Sequence, residues 1–135
     1  GGGGLISGIA TAAKAMKPDI TIIGVEPTGA PTLKSSRDAG ALVTLDEITT
    51  AAGSLAPRRS ADINLDIINE YVDDIVLVSD DEMRDAARWL WFEMGIGAEI
   101  SGAAALAAIH AGKLTAAPDA TVAAVICGAG SDGIV

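Results

Sequence analysis

Cysteine and basic residues are scarce in this sequence, and each shortage excludes a class of function. One cysteine, Cys127, builds neither a disulfide framework nor a cysteine-rich metal site, which points to a reducing, cytoplasmic compartment. Nine Lys and Arg stand against eighteen Asp and Glu, for a net charge of -9. That balance leaves no basic footprint for nucleic acid, since only Arg58 and Arg59 lie together. No apolar run reaches membrane-spanning length, and no basic leader precedes an apolar segment. What is abundant is small and apolar: 50% of the 135 residues are hydrophobic, 16 are glycine and only 20% are charged. Such a chain is not intrinsically disordered and fits one compact globular domain.

The sequence begins Gly1-Gly2-Gly3-Gly4, without an initiator methionine. Terminal glycines suggest an expression linker, but a linker continues into Ser or Gly. Here apolar residues follow at Leu5, Ile9, Ala12, Ala13 and Met16, a spacing that makes one face of a helix. The glycines therefore sit where a loop turns into a helix.

Further along, Ile20 to Val25 reads as a buried strand and Glu26 to Pro31 as a loop. A short helix is predicted over Thr32 to Ala39, ended by Gly40, and another over Asp62 to Tyr71. Ala52 to Pro57 reads as irregular chain. Asp74 to Val78 is a second strand, and Ser79 with Glu82 fits a capping box that opens a helix running to about Met94. Trp89, Leu90 and Phe92 on that helix are expected in the core. Ser101 to Ala111 reads as an alanine-rich helix, with Gly112 past its end and His110 solvated or complementing the dipole in its last turn. Thr121 to Ile126 is predicted as a buried strand running into Cys127-Gly128-Ala129-Gly130-Ser131-Asp132-Gly133. Strands that alternate with helices as continuous apolar runs define an α/β class with a mainly parallel sheet flanked by helices. Ligands of such sheets bind outside the carboxyl ends of the strands, where the second glycine-rich loop falls and where the first precedes its helix.

Consecutive glycines leave backbone N–H groups accessible, and the following helix adds its N-terminal partial positive charge. Gly1 to Gly4 thus form a phosphate cup that needs no Lys or Arg. No Gly-Lys-Ser/Thr follows, so this is not a P-loop. The strict dinucleotide fingerprint is absent, but Gly2, Gly4 and Gly8 match a looser G-x-G-x-x-x-G, with Glu26 where a ribose-binding acid belongs. A dinucleotide-binding oxidoreductase domain therefore stands as one alternative, and a non-catalytic α/β binding module with structural glycines as another.

The segments GGGGLISGIA, IIGVEP, VDDIVLVSDDE, AEISGAAALAA and VICGAGSDG occur in that order. Together they resemble the C-terminal half of the fold type II pyridoxal-phosphate (PLP) enzymes, above all the threonine and serine dehydratases with serine racemase. The resemblance covers nearly the whole chain. It implies that Gly1, Gly2, Gly3 and Gly4, with the backbone of Leu5, cradle the cofactor phosphate, and that Cys127 contacts the pyridine nitrogen. Read alone, Cys127 is an inert small buried residue. As a weak donor it would not hold that nitrogen protonated as an Asp would, which makes the ring a milder electron sink suited to β-elimination. Glu26 and the carbonyl of Ala30 match positions that bind a divalent cation in racemase-like members, although Thr32 stands where those carry Asp. Glu99 matches an acid near the cofactor, where it either tunes the cofactor or caps the Ser101 helix. Ala52-Gly53-Ser54-Leu55 departs from the family's Asp-Gly in a loop lining the active site.

The family's Schiff-base lysine lies in a Ser-x-Lys-x-Arg type segment upstream of the glycine loop. None of Lys14, Lys17, Lys34 or Lys113 has that context; Lys14, Lys17 and Lys113 read as ordinary solvated residues at helix ends. Residues 1–135 are accordingly expected to be a fragment, a partial PLP-binding domain, inactive alone. The resemblance implies a full-length PLP-dependent lyase or racemase acting on a small amino acid, as a homo-oligomer.

Overall fold

The computed structural model describes residues 1–135. Two strands, β1 (Ile23–Pro27) and β2 (Asp74–Val78), pair in parallel from Ile23 opposite Asp74 to Pro27 opposite Val78. Parallel neighbours need a crossover, and the chain supplies it with α2 (Thr32–Ala39) and α3 (Asp62–Tyr71). Before β1 lies α1 (Gly4–Met16); after β2 come α4 (Asp80–Met94) and α5 (Ala104–His110). This is the α/β arrangement that the alternating pattern predicts.

Helices cover both faces of the sheet. Side chains alternate along β2, so Ile75 joins Ala10, Leu33, Ile68 and Val72 beneath α1, α2 and α3. Val78, with Val76 packed beside it, meets Met83, Leu90 and the alanines of α4 and α5 on the opposite face. Ala104, Ala107 and Ala108 are buried, and their small side chains let α5 lie close on the strands. Gly24 performs the same service for α1, because a Cβ there would come within 3.1 Å of Ile6 and 3.2 Å of Ile75.

The start and stop signals act as their chemistry predicts. Ser79 Oγ accepts the Glu82 amide while the Glu82 carboxylate accepts the Ser79 amide, a complete capping box. Gly40, Gly95 and Gly112 end their helices with φ of +70°, +68° and +66°.

Four expectations need correction. The first strand starts later than Ile20, because Ile22 is held by Asp73 rather than by a ladder partner: Asp73 Oδ2 accepts the Ile22 amide, and the Asp73 amide donates to the Ile22 carbonyl. Thr121 to Ile126 forms no strand; only Ala98 and Ala129 make an isolated bridge nearby, and Val122 is 50% exposed. An apolar run becomes a strand only when it pairs with another edge, and β1 and β2 pair only with each other. The Ser101 segment opens as a tight turn over Ser101–Ala103 before α5 begins. On α4, Leu90 is buried as expected, but Trp89 and Phe92 are 41% and 74% exposed. Trp89 instead meets His110 edge to face, with ring centroids 5.0 Å apart.

Candidate active site

The glycine loop is shaped by the elements beneath it. Gly3 has φ +97° and is buried against Asn64, Leu33 and Ile68, which a Cβ would approach to 3.1–3.2 Å. The Gly2 carbonyl accepts the Ser60 hydroxyl and, at 2.9 Å, the Asn64 side-chain amide. Ser60, just before α3, and Asn64, in its first turn, fix the loop from below; nothing in their sequence context distinguishes them from ordinary surface residues.

Above, the loop is left open. The first α1 amide with a backbone partner is that of Ser7, which donates to the Gly3 carbonyl at 2.9 Å. No side chain caps the helix, and Gly4 and Leu5 are exposed. The amides of Gly4, Leu5 and Ile6 therefore point their unspent donors and the helix dipole at one spot, which suits a phosphate dianion. Of the residues expected to form the cup, Gly4 and Leu5 present unspent amides with open space around Gly4, while Gly3 is buried and the Gly2 carbonyl is held from below.

Three other segments converge on the cup. A Cβ on Gly1 would lie 2.9 Å from the Ser54 carbonyl. The Ser54 hydroxyl donates to Glu99 Oε1 at 3.1 Å. The Glu99 amide donates to the Gly128 carbonyl at 3.1 Å, and Gly128 leaves no room for a Cβ against the Glu99 carboxylate. Glu99 thus stands beside the cup and does not cap the Ser101 turn; the Ile100 amide there goes to Asp132 Oδ1 at 3.1 Å. Cys127, one residue before Gly128, is an exposed free thiol and not the buried filler it resembles in isolation. In the loop at Ala52 to Leu55, Ala52 is buried and Gly53–Leu55 form a single tight turn.

Glu26 has another partner. Its carboxylate, 2% exposed, accepts the amides of Leu33 at 3.0 Å and Lys34 at 2.9 Å, closing the N-terminus of α2. Burial pushes its pKa above the usual carboxylate value, while those two amide bonds pull it back. Ala30 is fully buried and donates its amide to the Pro27 carbonyl, and the Thr32 hydroxyl donates to the Pro57 carbonyl at 2.6 Å. No group of three His, Cys, Asp or Glu residues is placed to hold a metal ion. Glu26 would be the one carboxylate of a site with the Ala30 carbonyl, since Thr32 supplies no charge, and its oxygens already accept the α2 amides. The same capping removes Glu26 as a ribose ligand, and Gly8 lies inside α1 rather than in a loop.

Lys14 and Lys113 are not simply solvated. Lys14 pairs with Asp73 at 3.1 Å; Lys113 pairs with Glu82 at 2.7 Å and donates to the Leu77 carbonyl at 2.8 Å. Lys34 pairs with Asp38 along α2.

A parallel sheet with an uncapped helix N-terminus beside it is the arrangement on which phosphate-bearing ligands of α/β folds bind. Residues 1–128 match the family of pyridoxal-phosphate dependent enzymes, and the chain belongs to that family. It is 34% identical over 132 residues, 98% of this chain and 40% of the relative, to phenylserine dehydratase of Ralstonia pickettii. With the catabolic L-threonine dehydratase of Escherichia coli it shares 40% over 114 residues, 84% of this chain and 35% of that one. The structure of maize serine racemase superposes with a TM-score of 0.76 at 39% identity, over 79% of this chain and 33% of that one. The fold is thus that of the fold type II PLP enzymes, and the chain spans about two fifths or less of the curated relatives it matches. Family membership and the capping role of Glu26 set aside the dinucleotide alternative.

Proposed function

We propose that residues 1–135 are most of the large cofactor-binding domain of a PLP-dependent lyase. It would convert a small hydroxy amino acid, threonine or serine, to a 2-oxo acid and ammonia: water leaves across Cα and Cβ, and hydrolysis then exchanges nitrogen for oxygen. The observation that carries this reading is the uncapped row of amides at Gly4 to Ile6, held open by Gly3. The dehydratases among the relatives support the choice of reaction.

When bound, PLP supplies an electron sink conjugated to the substrate Cα. This chain's own residues anchor and surround it. The amides of Gly4 and Leu5 bind the phosphate, and the α1 dipole favours its charge. Cys127 offers the pyridine nitrogen a weak donor, and Glu99 places a carboxylate beside the cup. The attaching lysine would come from outside these residues, since none of Lys14, Lys17, Lys34 and Lys113 lies in a Ser-x-Lys-x-Arg type segment. Exposed Trp91, Phe92 and Met94 on α4 support a homo-oligomer of the full-length protein. The free Cys127 fits a reducing cytoplasm.

The test is to titrate the full-length protein with PLP and follow its visible absorbance, bleached by borohydride, then supply L-threonine and L-serine. Release of ammonia and 2-oxo acid is the expected result. Interconversion of serine enantiomers without elimination would assign racemase activity, as the serine racemase relatives allow. Failure to take up PLP would overturn the reading.

A further inference from the structure

We infer that Ser54 is a positioning residue for Glu99, its hydroxyl fixing the carboxylate that stands beside the glycine cup; this rests on the function proposed above. Ser54 is the middle residue of the Gly53–Leu55 turn. That turn is anchored on both sides. Upstream, the Thr50 hydroxyl and the Ala51 amide donate to the carboxylate of Asp80, the first residue of α4. Downstream, the Pro57 carbonyl accepts the Thr32 hydroxyl from the start of α2. A hydroxyl presented from a turn fixed in this way has a defined place, which a free loop would not give it.

Glu99 needs that fixed donor. Its backbone is held to Gly128, but its side chain keeps three rotatable bonds, and the Ser54 hydroxyl is the one hydrogen-bond partner of its carboxylate. Gly128 and Gly130 close the opposite side, where a Cβ on Gly130 would meet Glu99 Cβ at 2.9 Å. The Ser54 carbonyl also lies so near Gly1 that a Cβ there would come within 2.9 Å of it. Ser54 therefore links the glycine cup to Glu99, which itself rests on the final glycine loop, and it sets Oε1 while leaving Oε2 unclaimed by protein.

Ser54→Ala, Ser54→Thr and Glu99→Gln in the full-length PLP-loaded protein test this. Ser54→Ala is expected to lower kcat about tenfold, the loss of one hydrogen bond to a charged group. KM, PLP affinity and the unfolding midpoint should stay within twofold or unchanged. Ser54→Thr, which keeps the hydroxyl, should recover most of the rate. In the Glu99→Gln background Ser54→Ala should cost little more, because both changes act through one carboxylate. Undiminished kcat in Ser54→Ala, a loss that simply adds to that of Glu99→Gln, or a loss accompanied by weaker PLP binding and lower stability would each overturn the inference. If the wild-type protein takes up PLP and turns over while Ser54→Ala is equally active, the inference alone fails. If the wild type takes up no PLP, the proposed function fails and the Ser54 inference with it.

Discussion

The carboxylate of Glu26, at the end of β1, accepts the amide of Leu33 with both oxygens, at 3.0 and 3.2 Å, and so caps a helix whose own N-cap residue, Pro31, makes no side-chain bond. Removing it leaves the buried Leu33 amide and its neighbour without acceptors. Glu26→Ala should therefore cost about 1–3 kcal/mol. Glu26→Gln, which keeps one acceptor oxygen, should cost less. Urea unfolding of the full-length protein would show both as a lower midpoint at unchanged slope; an Ala variant as stable as wild type would contradict the capping role.

The two donors beneath the glycine loop act on ligand affinity more than on the fold. Asn64 is half-exposed and its side-chain amide holds the Gly2 carbonyl from α3. Asn64→Ala should lower the unfolding midpoint only slightly. It should weaken PLP binding several-fold, about the value of one neutral hydrogen bond that preorganises the cup. Equilibrium titration by visible absorbance measures it, and unchanged affinity would show that the loop holds its shape without this donor.

Adjacent glycines should respond with opposite sign. Gly3 lies at φ +97° over the side chains of Leu33 and Ile68, so Gly3→Ala combines backbone strain with a close contact and should cost about 1–3 kcal/mol. Gly4 begins α1 with open space around its Cβ position, so Gly4→Ala should leave stability equal or raise it by about 0.4–1 kcal/mol. Thermal unfolding of the two variants side by side tests the contrast, and equal losses would refute it.

What the sequence reveals here depends on how local the cause is. Ser79 and Glu82 lie three residues apart, and their capping box is legible because the spacing alone makes it. Gly40 and Gly112 are readable for the same reason, each following its own helix. The α2 cap is not, because its acceptor comes from a different element and is identified only once β1 points Glu26 at Leu33. The chemistry of the glycine cup is visible in four consecutive residues; its supports at Ser60, Asn64 and Ser54 are not, since they arrive from more than 50 positions away in the chain. Thr121 to Ile126 carries strand composition without strand structure, because composition does not supply the neighbouring edge. Trp89 and Phe92 show that aromatic character does not decide which face of α4 is buried.

Acid stability should be set by carboxylates that pull in opposite directions. The Lys113 ammonium, followed by the Ser79 amide, holds Glu82 below its ordinary 4.5; the Ile22 amide, followed by Lys14, holds Asp73 below its ordinary 3.8. Groups depressed in the folded state contribute stability that is complete above their ordinary values and lost as pH falls through the folded ones. Glu26 behaves in reverse. Burial raises it above 4.5, so its contribution is complete below that value and is lost as pH rises through the raised one. Between about pH 3 and pH 6, Lys113→Met should make the rise of stability with pH shallower, and Glu26→Gln should make it steeper. Urea midpoints measured across that range distinguish the two. A Lys113→Met variant with the wild-type pH slope would show that the Glu82 ion pair, at the surface beside the α4 cap, is worth nothing measurable in solution.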